Sequence, residues 1–172
     1  MIIQQDTREQ NGKHNHVLAY FERKGIKVVQ SKLFVGDYTL LEDQGTCIDT
    51  KQSVVELFSN LTKDHARFKY ECKRAQDFGI KLIVLVEEKL PEGGLVNWKS
   101  PVWKSTTNRH KKGDKITRAD PIIMKKSMLT MQERYGVEFR FCDKSVTGAC
   151  IVALLERDHK ERIENERNSA ES

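Results

Sequence analysis

Residues 35–57 read VGDYTLLEDQGTCIDTKQSVVEL and carry the pattern that decides the fold. Gly36-Asp37-Tyr38 opens a β-prone run, and after a turn at residues 42–45 a second apolar segment leads into Asp49-Thr50-Lys51. Two short strands joined by a turn predict a hairpin. Asp37 and Asp49 would lie on its adjoining strands.

Asp49 and Lys51 are two residues apart on the predicted second strand. Because side chains alternate along a strand, both would leave the same face of the sheet. The carboxylates of Asp37 and Asp49 could hold a hard divalent ion such as Mg²⁺ through oxygen ligands. A lysine beside them could orient or deprotonate an attacking water and offset charge in a transition state. In isolation, an acid-x-Lys pattern is also typical of an exposed ion pair on a strand.

The rest of the chain alternates between helix and strand patterns. The strand at residues 81–86 is apolar throughout, which predicts burial on both faces and a central position in the sheet. This alternation predicts an α/β fold, a three-layer α/β/α sandwich with a central mixed sheet. The other predicted elements are strands at 1–5, 27–35, 38–41, 46–50 and 137–141, and helices ending at 25 and spanning 53–61, 64–78, 119–135 and 145–156.

The order of these features resembles the nuclease domain of the XPF family of structure-specific endonucleases, which has a restriction-endonuclease-like fold. The resemblance runs from residue 2 to about residue 88. The matching motifs, in chain order, are Asp6-Thr7-Arg8-Glu9 after the first strand, Gly36-Asp37-Tyr38, Asp49-Thr50-Lys51 where the family has Glu-Arg-Lys, the acidic Glu56, and Arg67-Phe68-Lys69-Tyr70-Glu71 before an apolar strand.

The resemblance implies a metal-dependent DNA endonuclease that uses Mg²⁺ or Mn²⁺. It would hydrolyse phosphodiester bonds at branched or flapped DNA, in replication, repair or recombination. By this resemblance Asp37, Asp49 and the backbone carbonyl of Thr50 would bind the metal, and Lys51 would position the water. The remaining implied site residues are Asp6, which would bind the metal or a metal-bound water, Glu56, which would complete the metal shell, and Arg8 and Arg67, which would contact phosphates.

Three departures from the family pattern leave a second function open. Asp49 is one methylene shorter than the family's glutamate, and Thr50 lacks the charge of the family's arginine. Glu56 lies five residues after Lys51, where the family has four. These departures favour the alternative of a non-catalytic DNA-binding or adaptor protein on the same fold. The sequence does not separate a DNA substrate from an RNA substrate.

The net charge of +5 is concentrated in one part of the chain. Residues 97–128 contain nine basic residues against two acidic ones. The basic loop at residues 97–118 shows little helix or strand periodicity, and it also holds Trp98 and Trp103. It could follow a phosphate backbone and stack on unpaired bases, or it could be a surface loop whose tryptophans cover the edge of the sheet. On the first interpretation the DNA-binding residues would include Lys99, Lys104, Arg109, Lys111 and Lys112.

Cysteines and histidines show no spacing typical of a zinc finger. The four cysteines are therefore expected to be reduced and mostly buried, and a structural zinc is not expected. His14 and His16 lie near the start of the first helix. They could touch the site that Asp6 opens, but the pattern favours a solvated helix end.

Length and composition indicate one domain at residues 1–157, followed by a charged, disordered tail at 158–172. No apolar run approaches the ~18 residues of a membrane span, and the N-terminus does not look like a signal peptide, so a cytoplasmic protein is expected.

XPF-type enzymes commonly add a pair of helix-hairpin-helix motifs, for which this chain leaves no room. Selectivity for branched DNA would then come from the domain itself, a homodimer or a DNA-binding partner protein. Such a stand-alone domain would suit a small genome such as that of a virus.

Overall fold

The computed structural model describes residues 1–8, 14–104, 115–117 and 119–171, without the side chains of 102–104 and 115–117. Within these residues the chain alternates between strands and helices. The elements are β1 (Ile2–Asp6), α1 (Asn15–Arg23), β2 (Lys27–Ser31), β3 (Tyr38–Leu40), β4 (Thr46–Lys51), α2 (Val54–Thr62), α3 (His65–Asp77), β5 (Lys81–Val86), β6 (Val102–Lys104), β7 (Lys115–Thr117), α4 (Pro121–Tyr135), β8 (Glu138–Phe141) and α5 (Thr147–Ala170).

Six strands form one mixed sheet in the order β2-β1-β3-β4-β5-β8. Strand β3 is antiparallel to both of its neighbours, and the other pairs are parallel. Helices α2, α3 and α4 pack on one face of the sheet and form one apolar core with it. Helices α1 and α5 pack on the other face and form a second core. The predicted three-layer α/β/α sandwich with a central mixed sheet is confirmed.

Strand β5 is buried on both faces, as its apolar sequence predicts. Its alternate residues enter the two cores, with Val84 on the α2 side and Ile83 and Leu85 on the α1 side. It lies second from the edge of the sheet, between β4 and the short β8. Strand β4 lies deeper, and all six of its residues are buried although the strand includes Asp49 and Lys51.

The segment before β3 differs from its prediction. Strand β2 ends at Ser31 rather than at residue 35, and residues 34–37 form a bend. Gly36 has φ +66°, and a Cβ there would lie 3.0 Å from the carbonyl oxygen of Ile48. A glycine is therefore required for the bend to approach β4 this closely. Asp37 directly precedes β3, and its N–H donates to the Ile48 carbonyl at 2.7 Å.

Helix α5 continues without a break to Ala170, through the segment where composition predicts a disordered tail. Asp158 is only 2% exposed and accepts a hydrogen bond from the Thr46 hydroxyl at 3.1 Å. Arg162 donates to the Asp43 carboxylate in the turn before β4. Asp158, His159 and Arg162 are thus paired with groups elsewhere in the fold, and they hold the middle of the helix against the sheet.

The basic loop also differs from its prediction where it is described. Strands β6 and β7 pair as an antiparallel ribbon inside a segment that was expected to be irregular. Trp98 is 6% exposed and donates its indole N–H to Glu88 at 2.7 Å. It therefore packs in the α2-side core and does not stack on bases. The predicted DNA contacts at Arg109, Lys111 and Lys112 lie outside the described residues, as do the side chains of Lys104 and Trp103.

Two further expectations concern thiols and membranes. All four cysteines are free, and Cys47, Cys72 and Cys142 are buried, which confirms the expectation of buried thiols. None of the helices in the described ranges is both long and apolar enough to cross a bilayer.

Candidate active site

A cavity of about 470 Å³ opens where the carboxyl end of β4 faces α2 and α3. Acidic and basic side chains from four elements, and from the bend before β3, meet there. Most of the residues predicted from the resemblance lie in its wall. The lining consists of Asp6, Arg8, Gly36, Asp37, Asp49, Thr50, Lys51, Glu56, Asn60, Arg67, Tyr70, Glu71 and Arg74.

Asp49 and Lys51 leave the same face of β4, as strand alternation predicts. The Lys51 Nζ lies 2.6 Å from Oδ1 and 2.5 Å from Oδ2 of Asp49. Burial raises the pKa of Asp49, the charges of Asp37 and Glu71 raise it further, and Lys51 opposes the shift. Burial lowers the pKa of Lys51, but Asp49 and Asp37 outweigh it, so the net shift is upward. Lys51 thus keeps its proton, which favours a charged donor over a base.

Asp37 is oriented by Thr50. The Asp37 Oδ2 accepts hydrogen bonds from the Thr50 backbone N–H at 2.7 Å and from the Thr50 hydroxyl at 2.6 Å. Glu71 on α3 accepts from the N–H of Gly36 at 3.1 Å, which ties the bend to the helix. Thr50, which replaces the family's arginine, therefore holds the neighbouring carboxylate in place instead of supplying a charge.

Asp6 forms an ion pair with Arg8 at the wall of the cavity. The Arg8 Nε lies 3.0 Å from each Asp6 oxygen, and Arg8 Nη2 makes a further short contact to Oδ2. Burial raises the pKa of Asp6, but the hydrogen bonds and charge of Arg8 outweigh it, so the pKa is lowered. Arg8 also donates to the Leu33 carbonyl at 2.8 Å. The carboxylate implied as a metal ligand is thus already neutralised by its own neighbour.

Glu56 serves as part of a helix cap. Ser53 begins α2 by accepting a hydrogen bond from the Glu56 N–H, and the Glu56 Oε2 accepts from the Gln52 N–H at 2.7 Å. This is a form of capping box. Glu56 does line the cavity, but Asp37 and Glu71 are the acidic residues whose charges raise the pKa of Asp49. Sequence reasoning assigned no role to Glu71.

Three residues of α3 give the cavity a basic and aromatic wall. Arg67, Tyr70 and Arg74 are spaced three and four residues apart, which places them on one helical face. Tyr70 is 66% exposed, and the Arg74 guanidinium carbon lies 5.7 Å from its ring centroid. The Arg74 Nε is buried and has no hydrogen-bond partner among the described residues. Only Arg67 of these three was predicted, and the same helical spacing could have indicated the other two.

Lys99 does not reach this cavity. It lines a separate, larger groove beside Trp98 and the exposed Ile122 at the start of α4. Arg8 and Arg67 are thus brought together in the cavity, whereas Lys99 is not.

The residues of the cavity fit a hard divalent ion. Burial raises the pKa of Asp49, the charges of Asp37 and Glu71 raise it further, and a cation would relieve that repulsion. Carboxylate oxygens are the ligands that Mg²⁺ and Mn²⁺ prefer.

A second group of ligands lies on the opposite face of β4. Ligand atoms of His14, His16 and Glu87 all lie within 4.8 Å of one another. His14 is buried against Glu87, so the prediction of a solvated helix end is wrong for it. Burial raises the pKa of Glu87, but hydrogen bonds to both histidines outweigh it and the pKa is lowered. The signal was missed because Glu87 is far from the histidines in sequence.

Comparison with known proteins supports the resemblance seen in the sequence. The ERCC4 domain profile matches residues 5–155. The structure of XPF from Aeropyrum pernix aligns with a TM-score of 0.61 and 19% identity over 98% of this chain and 69% of that one. XPF from the same organism in complex with DNA aligns with a TM-score of 0.61 and 18% identity over 93% of this chain and 66% of that one. No curated protein is significantly similar.

The present chain spans about two thirds of the length of these XPF chains. At this level of identity the likeness shows the fold, which is the restriction-endonuclease-like fold that was predicted. The family assignment rests on the profile match, which covers most of the chain. The chain belongs to the ERCC4 domain family and carries an XPF-type nuclease domain.

Proposed function

We propose that this protein is a metal-dependent endonuclease that hydrolyses phosphodiester bonds in DNA, with branched or flapped DNA as its preferred substrate, in repair or recombination. One observation carries the proposal. Asp37, Asp49 and a charged Lys51 meet in a single cavity whose wall also presents arginines. A family whose domain is a nuclease domain, and a structural neighbour described as a DNA complex, support the same conclusion.

The chemistry follows from these side chains. A bound Mg²⁺ or Mn²⁺ would supply Lewis acidity toward a phosphate oxygen. Asp37 and Asp49 would hold the ion, with the Thr50 carbonyl as a further ligand by resemblance to the family. Thr50 keeps Asp37 in position through two hydrogen bonds to one oxygen, so the ligand needs little reorganisation.

Lys51 has the role of a charged donor. Its ammonium group lies next to Asp49, from where it can orient a water molecule and offset the negative charge that develops on the phosphate. A lysine whose pKa is raised by two carboxylates does not suit the role of a general base.

Arginines provide the contacts to the DNA backbone. Arg8 and Arg67 line the cavity as the resemblance implied. Arg74 joins them with a buried Nε that has no hydrogen-bond partner among the described residues. Guanidinium groups bind phosphates in a bidentate manner. The exposed ring of Tyr70 lies between these arginines on α3 and is placed to stack on an unpaired base.

The test is cleavage of end-labelled single strand, duplex, 3′ flap, fork and four-way junction DNA with Mg²⁺, Mn²⁺ or EDTA. Wild type is compared with Asp49→Asn and with Asp77→Asn, which changes an exposed aspartate at the end of α3. We expect metal-dependent cleavage by wild type and Asp77→Asn, and loss of cleavage with DNA binding retained in Asp49→Asn. The ranking of substrates then tests the preference for branched DNA.

Two outcomes would contradict the proposal. Undiminished cleavage by purified Asp49→Asn would show that the cavity is not the active site. If wild type binds DNA and cuts no substrate with either metal, the non-catalytic adaptor function is the better interpretation.

A further inference from the structure

His14, His16 and Glu87 lie together on the side of β4 opposite the cavity. Glu87 follows β5, and its N–H donates to the Lys51 carbonyl at 2.7 Å, which fixes the carboxylate beside β4. The Glu87 Oε1 lies 3.2 Å from the His14 Nδ1 and 2.8 Å from the His16 Nε2. The start of α1 and the end of β5 thus bring two imidazoles onto one carboxylate oxygen.

Thr50 determines which nitrogen of His14 carries a proton. The Thr50 hydroxyl has one hydrogen, which goes to the Asp37 Oδ2 at 2.6 Å. Its oxygen can therefore only accept from the His14 Nε2, which lies 3.4 Å away. The Nδ1 of a neutral His14 would then direct its lone pair at the carboxylate oxygen of Glu87. A proton on Nδ1 makes this contact a hydrogen bond, and a metal ion between the two atoms would make it favourable for the neutral ring.

The Glu87 carboxylate also indicates a bound cation. Its side chain is fully buried, and its Oε2 has no hydrogen-bond partner in the described part of the chain. A buried carboxylate oxygen without a partner is costly. A metal ion bound by this carboxylate would compensate for that cost. The His16 side chain is 28% exposed, which leaves a route for an ion to enter and a position for a water ligand.

We propose that His14, His16 and Glu87 bind one transition-metal ion of the Zn²⁺ class, separately from the carboxylate cavity. Two histidines and one glutamate are a known ligand set for Zn²⁺, whereas Mg²⁺ prefers oxygen ligands. Tetrahedral ligands of Zn²⁺ lie about 3.4 Å apart, against the 2.8 and 3.2 Å separations from Glu87 found here. Only small shifts would admit the ion.

The site would be coupled to the cavity through Thr50. The His14 Nε2 donates to the Thr50 hydroxyl, which in turn donates to Asp37. A hydrogen bond from the second ring nitrogen is the usual way in which a metal-bound histidine is oriented. Absence of zinc-finger spacing in the cysteines and histidines therefore does not exclude a zinc site in this chain, because Glu87 lies 71 residues from His16.

The test measures metal binding directly. Metal-free protein in excess Mg²⁺ is titrated with Zn²⁺ against a chromogenic chelator, and Co²⁺ is used as a spectroscopic probe. The variants are His16→Gln and Glu87→Gln, with His65→Gln, an exposed histidine at the start of α3, as the matched control. Circular dichroism shows that each variant is folded.

We expect one Zn²⁺ per chain and a tetrahedral Co²⁺ spectrum for wild type and His65→Gln. In His16→Gln and Glu87→Gln the affinity should fall by roughly tenfold or more. Zn²⁺ should also raise the melting temperature of wild type but not of His16→Gln.

The Asp49→Asn variant separates this site from the cavity. Zn²⁺ binding should persist in it, because Asp49 lies on the other face of β4. Binding that is lost in Asp49→Asn but kept in His16→Gln would place the ion in the cavity and overturn the proposal. Unchanged affinity in both folded cluster variants, or no Zn²⁺ bound by wild type, would show that the cluster is held by hydrogen bonds alone. None of these readouts depends on DNA cleavage.

Discussion

The two ends of β4 use buried carboxylates in opposite ways. At its start, Asp158 lies next to the Thr46 hydroxyl and accepts from Lys81 at 2.9 Å and from Arg157 at 2.7 Å. At its end, Asp49 shares a cavity with four other carboxylates and has Lys51 as its close cation. The first group is paired charge by charge, and the second has an excess of negative charge.

The pKa values follow this difference. Glu138 belongs to the first group, because it shares Lys81 and Arg157 with Asp158. Burial raises the pKa of Glu138, but Arg140, Arg157 and Lys81 outweigh burial and bring the pKa down to about 2. The pKa of Asp49 shifts the other way. Carboxylates that are matched by cations stabilise the fold, whereas a cluster with an excess of negative charge reduces its stability and is retained where a ligand will balance it. The contrast supports the proposed active site independently of any motif.

The largest expected effect comes from replacing the lysine of each group. Lys51→Met should lower the cleavage rate by roughly 100-fold or more, because it removes the charged donor of the cavity. Lys81→Met should leave cleavage within about twofold of wild type, because Lys81 contacts only the structural group among the described residues. Single-turnover cleavage of a flap substrate by both variants measures the difference. Equal losses would remove the functional distinction between the two ends.

Asp158→Asn should lower the free energy of unfolding by about 2–3 kcal/mol. The substitution leaves Lys81 and Arg157 without their buried partner, although both cations keep contacts to Glu138. Urea unfolding followed by circular dichroism gives the change in stability. Cleavage below the melting range should be unaffected, so a large loss of activity in the folded variant would count against a purely structural role.

Acid should remove the stability that the paired carboxylates near the start of β4 contribute to the fold. Glu138 has a folded pKa of about 2 and an ordinary value of 4.5, so the folded state binds fewer protons than the unfolded state between these values. Its contribution to stability is therefore complete above about pH 5 and is lost as the pH falls toward 2. In Glu138→Gln this part of the acid dependence should disappear, with a loss of about 1–2 kcal/mol at neutral pH after solvent screening. Urea midpoints measured at pH 7, 5, 4 and 3 test this slope, and an identical slope in the variant would contradict it.

The smallest expected effect is on DNA binding, and it comes from comparing Arg74 with Arg157. Arg74→Gln should weaken DNA binding by about tenfold or less and lower the salt slope by about 1, with stability unchanged, because its Nε has no partner among the described residues. Arg157→Gln should instead reduce stability and spare binding, because Arg157 donates to Glu138 and Asp158. Fluorescence anisotropy at several salt concentrations provides the measurement. Normal DNA binding by Arg74→Gln would exclude α3 from the DNA path.

Much of the candidate site could be predicted because its rules are local. The two-residue spacing of Asp49 and Lys51 fixes their shared face through strand alternation. The Gly36-Asp37 pair marks a bend that a side chain at position 36 would obstruct. Glu71 was missed for a different reason. Its importance comes from the packing of α3 over β4, and its spacing along α3 shows only which helical neighbours it has.

The layers of this protein and the position of its central motif follow from local sequence patterns, because apolar periodicity and strand alternation act over a few residues. Tertiary structure alone decided which charges are paired. The Thr46–Asp158 hydrogen bond spans 112 residues and holds a helix that local composition indicated would be disordered. His14 and Glu87 likewise meet across 73 residues. The electrostatic energy of a buried group depends on its distance to other charges and to solvent, and the fold sets both.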